Sequence, residues 1–205
     1  MTLQLAEGQD FSANYSLLQR LAVRDYGERW LALDKTSSER VVLQIFDAPL
    51  SNATREQVER AIDTGRGLIH PNITRVYRLE RGEGHDFIVS QYISPEQNFT
   101  PDTKNFSARW PQLEQLFDAL TFAHSLGVAH GHIHPGNLLI DSRGHLHVTD
   151  FGLPSHAGNT GHEAWLSPQI RSGASPDFSD DIYGLGYLLY FGLTGKAWRN
   201  EKFET

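Results

Sequence analysis

Apolar residues recur every three or four positions at Leu113, Leu116, Phe117, Leu120 and Ala123, so Trp110 to Leu126 is expected to be an amphipathic helix. Upstream the period is different. Tyr15 to Leu33 mixes apolar and polar residues around Gly27 and predicts two strands with a turn. The β-branched run Val41 to Phe46 predicts a buried strand. Asn52 to Leu68 returns to helical spacing, with Thr54 the expected cap and Val58, Ala61, Ile62 and Leu68 on one side. Gly65 and Gly67 weaken its last turn. Ile73 to Leu79 and Asp86 to Ile93 predict two more strands, turning at Gly82 and Gly84.

Ser94 to Arg109 is polar and holds Pro95 and Pro101, which marks a hinge. Beyond the Trp110 helix, Asn137 to Ile140 and His145 to Val148 predict a short hairpin turning at Asp141 to Gly144. Asp180 to Thr194 is apolar on nearly every side, as a helix in the centre of a domain is. Strands, then a hinge, then helices predict an α+β chain of two lobes. The expected division is an N-terminal extension over 1–14, a β-rich lobe over 15–93, a linker over 94–109 and a helical lobe over 110–205.

Composition narrows the function. Of 205 residues, 39% are hydrophobic, enough for one sizeable core or two small ones. The absence of cysteine excludes a disulfide scaffold. With 18 basic and 25 acidic residues the net charge is −7, which disfavours nucleic acid as a partner. No apolar run is long enough for a membrane span, and Met1 to Phe11 has no signal-peptide core, so a cytoplasmic setting is expected.

The residues become specific at Ala129 to Gly152, AHGHIHPGNLLIDSRGHLHVTDFG. This stretch resembles the catalytic loop and metal-binding turn of protein kinases, written H-R-D-L-x-x-x-N and, after a hairpin, D-F-G. His130 opens the loop, Asn137 closes it, and Asp150-Phe151-Gly152 stands unchanged. VVLQIF is similar to the V-A-I-K strand, HPNITRVY to the strand after the regulatory helix, FIVSQY to the strand entering the hinge, and SDDIYGLGYLLYFGLTG to the central large-lobe helix. The resemblance runs from about Tyr15 to Gly195 and is nearest to bacterial Ser/Thr kinases. It implies a two-lobed kinase-like fold with a shortened helical lobe.

The departures from that pattern carry the functional expectation. Gln44 stands where the family has its phosphate-binding lysine, and Ala61 where the helix glutamate pairs with it. Charge-assisted bonds to phosphate are roughly twice as strong as neutral ones. Ala22, Arg24 and Gly27 occupy the places of the three loop glycines, so Gly27 alone survives. Arg29 replaces the apolar residue over the adenine, and either fills the pocket or brings a displaced charge to a phosphate. His132 replaces the catalytic aspartate and His134 the lysine two positions on. A general base contributes about 10²–10⁴ in rate, and histidine can act as one. Should nucleotide bind, the resemblance places Gly27, Arg29, Val42, Ser90, Gln91 and Leu139 around ATP, and Asn137 and Asp150 on Mg²⁺. The same two residues have structural alternatives: Asn137 bracing the loop, Asp150 capping the next turn.

The expectation is a pseudokinase, a binding, scaffold or regulatory module without efficient phosphoryl transfer. The alternative is a slow Ser/Thr kinase in which His132 serves the hydroxyl and Arg24 or Arg29 replaces the lysine. Gln169 replaces the glutamate of A-P-E, Asp181 keeps the aspartate that ties down the catalytic loop, and Ser155 and Thr160 are modification candidates. Among ten histidines, His130, His132 and His134 alternate, as do His145 and His147. A zinc or nickel site is the alternative to simple packing, but the first three lie on an irregular loop and no HExxH helix exists. Tyr187 to Phe191 is expected to lie open and to meet a protein partner or a second copy.

Overall fold

The computed structural model describes residues 4–24, 27–94, 97–101, 103, 106–151, 153 and 163–197. Six strands form the N-terminal sheet: β1 (Asp10–Phe11), β2 (Tyr15–Arg24), β3 (Gly27–Asp34), β4 (Glu39–Phe46), β5 (Val76–Gly82) and β6 (His85–Gln91). Their order is β1-β2-β3-β4-β6-β5, with every neighbouring pair antiparallel. Alternation along the strands gives the sheet two apolar faces. One carries Phe11, Tyr15, Leu17, Trp30, Ala32, Leu43, Ile45, Phe87 and Val89. The other carries Phe46 and Ile88 and receives helix α1 (Asn52–Gly65) through Val58 and Ile62.

Helix α1 is capped by Ser51 rather than Thr54: the Ser51 hydroxyl accepts the Thr54 N–H at 3.1 Å. The helix ends at Gly65 with Arg66 as its cap, short of the expected Leu68. Leu68 and Ile73 instead enter the large-lobe core. The expected strand from Ile73 is likewise divided. Thr74 N–H donates to Val148 O at 2.9 Å and Val148 N–H to Asn72 O at 2.7 Å, so the backbone here pairs with the other lobe before β5 begins.

The large lobe is built on α2 (Trp110–Ser125) and α4 (Phe178–Thr194), with short α3 (Pro168–Arg171) between them in sequence. A second sheet, β7 (Gln97–Asn98), β8 (Leu138–Ile140) and β9 (Leu146–Val148), covers the core. Strand β7 pairs with β8, and Phe99 and Phe106 are buried with Leu113, Leu116 and Leu120. Much of the expected linker is thus large-lobe structure.

The expectation that Tyr187 to Phe191 lies open is corrected. Tyr187 and Leu188 are buried, Leu189, Tyr190 and Phe191 are half-buried, and the Trp165 ring covers Tyr187 at 4.4 Å and Phe191 at 5.9 Å. The exposed apolar residues of α4 are Phe178, Ile182 and Leu193. No helix among the described residues is long and apolar enough to cross a membrane.

Candidate active-site cleft

The loop from His130 to Asn137 is held from beneath by α4. Asp181, fully buried, accepts the backbone N–H of His130 at 2.8 Å and of Gly131 at 2.6 Å, and its Oδ2 also meets His124 Nε2 at 2.7 Å. Gly131 stands where the resemblance has an arginine. Its φ of +79° and the 2.5 Å between an added Cβ and Pro176 admit only glycine. That substitution went unremarked in the sequence, although the HGH triplet displays it.

The histidines of this loop are structural partners of the backbone. His130 Nδ1 accepts the His132 N–H at 3.1 Å, so its Nε2 carries the proton and donates to Thr149 O at 2.7 Å. Its ring meets Phe151 edge-on at 4.8 Å. His134 is 3% exposed, and its Nδ1 accepts the Gly136 N–H at 3.0 Å, capping the turn at Pro135–Asn137. The ring that stands where the family has a lysine is therefore engaged in holding the loop. His132, half-buried at the place of the family's aspartate, lies with its ring 4.4 Å from that of His134.

Asn137 Nδ2 donates to His132 O at 3.2 Å, which is the bracing role open to it in the sequence. Asp150 adopts φ +64°, a conformation aspartate tolerates better than most residues. The neighbours of this turn tie the lobes together: Phe151 joins the large-lobe core and Leu153 packs with Phe46, Val58, Ile62 and Ile88. Among the described residues nothing hydrogen-bonds the Asp150 carboxylate. A carboxylate and an amide oxygen suit Mg²⁺, a hard cation that takes oxygen ligands. Among the described residues no group of three His, Asp or Glu side chains is placed to hold a metal ion, and this includes the alternating histidines for which a zinc or nickel site was the alternative.

His145 and His147 instead surround Asp141, whose Oδ2 lies 3.6 Å from His145 Nδ1 and 3.2 Å from His147 Nε2. Burial pushes the Asp141 carboxyl up, but the backbone N–H of His145, the His147 ring and the N–H of Arg143 outweigh it and hold the group at about 2.

In the small lobe, Gln44 and Arg29 are direct partners in the β3–β4 ladder, 8% and 7% exposed. Ala61 is half-buried on α1, and the neighbouring carboxylates do not replace the missing glutamate. Glu59 pairs with Arg55 at 3.1 Å and Asp63 with Arg66 at 3.2 Å, both on the outer side. A clamp unforeseen in the sequence fixes α1 to the sheet. Asp86, fully buried, accepts from Nε and Nη2 of Arg81, each at 2.9 Å, from the Leu50 N–H at 2.8 Å and from the Arg55 guanidinium.

Gly27 has a steric reason that is independent of any ligand: with φ +147°, an added Cβ would run into the Ile45 carbonyl oxygen. Val42 and Leu139 are 1% and 3% exposed. Ser90 pairs with Val42 in the β4–β6 ladder. Gln91 Oε1 accepts the Arg75 N–H at 3.2 Å. Gln169 is exposed on α3, while Gly152, Ser155 and Thr160 lie outside the described residues, as does the Arg24 side chain.

The sequence pattern of the protein kinase domain matches residues 15–204. The chain is similar to CBL-interacting protein kinase 30 of Oryza sativa subsp. japonica, 29% identical over 95% of this chain and 44% of that protein. It is similar to serine/threonine-protein kinase PrkC of Bacillus subtilis, 28% identical over 92% of this chain and 32% of that protein. It is also similar to Aurora/IPL1-related protein kinase 2 of Caenorhabditis elegans, 30% identical over 93% of this chain and 67% of that protein. The chain thus spans from about a third to two thirds of the length of these relatives. Plant, bacterial and animal kinases lie at nearly equal identity, so the expected bacterial likeness is not singled out. The six-stranded sheet, the clamped α1, the Asp181-anchored loop and the family match agree: the chain belongs to the protein kinase domain family.

Proposed function

We propose that this chain is a kinase-like binding or regulatory module that does not carry out efficient phosphoryl transfer and acts through protein contacts. The observation that carries this is the neutral pair Gln44 and Ala61, with the α1 carboxylates Glu59 and Asp63 committed to Arg55 and Arg66. In active members a lysine on this strand, paired with the helix glutamate, positions the phosphates. A neutral amide offers a weaker hydrogen bond and no charge for the transition state. His134 adds to the loss, because its ring caps the loop.

Asn137 and Asp150 supply oxygens suited to Mg²⁺, which in this family neutralises phosphate charge; ATP and Mg²⁺ are thus retained as candidate ligands rather than as turnover partners. The test is single-turnover incubation with labelled ATP and Mg²⁺, with and without a generic protein substrate. The expected result is no transfer above that of the Asp150→Ala variant. Metal-dependent transfer that disappears in Asp150→Ala overturns the reading. A slow kinase is the second reading, and the cation of Arg29 directly opposite Gln44 is the observation that favours it.

A further inference from the structure

We infer that the outer face of α2, carried by Trp110, Glu114 and Asp118, is a docking surface for an arginine-rich segment of a protein partner. This rests on the reading above that the chain acts through protein contacts, and it names the chemistry of the partner.

Helical spacing sets the face. Leu113, Leu116, Ala119, Leu120 and Ala123 are buried on one side of α2. Trp110, Glu114, Asp118 and Thr121 follow one another at i, i+4, i+8 and i+11 on the opposite side, and all four are exposed. The helix meets the β8–β9 hairpin through Gln112, which donates to Gly144 O, and Gln115, which accepts the Leu146 N–H. Those contacts leave from a different side, so the stripe faces away from the hairpin.

The aromatic part of the stripe is fixed and open. Trp110 is 50% exposed, whereas Trp30 is buried and Trp165 half-buried. Its indole Nε1 donates to Glu114 Oε1 at 2.9 Å. Its ring stands nearly perpendicular to that of half-buried Phe117, with centroids 6.2 Å apart. A held indole with a free face is the strongest aromatic partner for a guanidinium, and such side chains dominate binding energy at interfaces.

The charges on the stripe identify the partner. On α1 every carboxylate is answered by an arginine: Glu56 by Arg60 at 3.6 Å, Glu59 by Arg55 at 3.1 Å and Asp63 by Arg66 at 3.2 Å. From Trp110 to Ser125 there is no lysine or arginine, and His124 is engaged with Asp181. Glu114 and Asp118 are therefore a like-charged i, i+4 pair, an arrangement that weakens a helix. Neither lies in the first turn, where the helix dipole would favour an acid. A cationic segment supplies the missing complement, and the overall charge of −7 draws it in. Arginine fits better than lysine, because its planar fork binds a carboxylate and stacks on an indole.

The probe is a fluorescent peptide of alternating arginine and alanine, about ten residues long so as to span α2, titrated with the full chain by anisotropy. Saturable binding that weakens with salt is expected, with weaker binding when lysine replaces arginine and none when glutamate does. Asp118→Lys is expected to weaken binding about tenfold or more, and without peptide to melt no lower than the native chain, since it makes the i, i+4 pair attractive. Trp110→Ala is expected to weaken binding about threefold or more. Glu83→Lys, an equal charge change at the exposed β5–β6 turn, is expected to leave affinity within about twofold of native.

The proposal is overturned by no saturable binding, by Glu83→Lys weakening it as much as Asp118→Lys, or by Asp118→Lys binding as the native chain does. A native dimer that Asp118→Lys converts to monomer assigns the face to a second copy and overturns it too. The Asp118 variant carries the test if Trp110→Ala does not fold. Phosphate transfer measured in parallel separates the two readings. Transfer with peptide binding intact removes the non-catalytic reading alone, whereas no transfer and no peptide binding removes the docking surface alone.

Discussion

Asp181 on α4 receives the Gly131 backbone N–H at 2.6 Å across fifty positions of sequence, and this bond sets the course of the loop that carries His130 to Asn137. The same carboxylate takes the His130 N–H and the His124 ring, so three donors converge on one fully buried group. Such a group is destabilising to remove, because each donor then stays buried without an acceptor. Asp181→Ala is expected to lower unfolding free energy by about 3–5 kcal/mol, and Asp181→Asn by less, as measured by urea denaturation. A loss below about 1 kcal/mol would show that the loop is held by other means.

The clamp on α1 makes a similar demand in the small lobe. Asp86 joins Arg81, Arg55 and the start of the helix at Leu50. Asp86→Ala is expected to cost about 3 kcal/mol and to raise hydrogen exchange along α1 before it does so along α2. Uniform loosening of both helices would contradict a local clamp.

Acid should weaken the hairpin around Asp141. Its carboxyl is held at about 2, below the unfolded value of about 3.9, so its contribution is complete above pH ~4. That contribution declines as pH falls through about 2, because the unfolded chain takes up the proton more readily. Stability measured from pH 5 to pH 2 is expected to fall less steeply in Asp141→Asn than in the native chain. Parallel curves would remove the assignment.

Restoring the family's ion pair tests why transfer is absent. In the triple variant Gln44→Lys, Ala61→Glu and Arg29→Val, ATP with Mg²⁺ is expected to bind about tenfold or more tightly than to the native chain, by calorimetry. Gln44→Lys alone is expected to lower Tm, since the new ammonium faces Arg29 across the ladder. Unchanged affinity in the triple variant would place the defect elsewhere.

Gly27 separates a backbone requirement from a ligand requirement. Gly27→Ala is expected to lower Tm equally with and without ATP and Mg²⁺, because the obstacle is the Ile45 carbonyl on the neighbouring strand. A loss seen only with ligand present would return the residue to phosphate binding.

Much of the architecture was legible because the relevant signals are local. The β-branched apolar run at Val41 to Phe46 and the helical spacing from Leu113 to Ala123 fall within β4 and α2 as built. Glu83 and Gly84 both adopt positive φ, the turn that joins β5 to β6 where the glycines suggested one. The losses at Gln44, Ala61 and His132 could be seen in the same way, since each lies at a fixed offset from a motif. The choice between Ser51 and Thr54 as cap escaped notice because both hydroxyls satisfy the local rule and only the backbone at Ser51, with ψ 154°, leaves the helix there.

The sequence by itself determined the order of strands and helices, the kinase-like motifs and the missing charges, because periodicity and spacing depend on neighbours a few residues away. Only the tertiary structure decided that residues 72–74 pair with β9, that His134 caps its own turn, and that Asp86 clamps α1. It also decided that Arg29 is buried with no carboxylate paired to it among the described residues. Those outcomes depend on which distant groups share one low-dielectric space, and that is set by how the two cores pack.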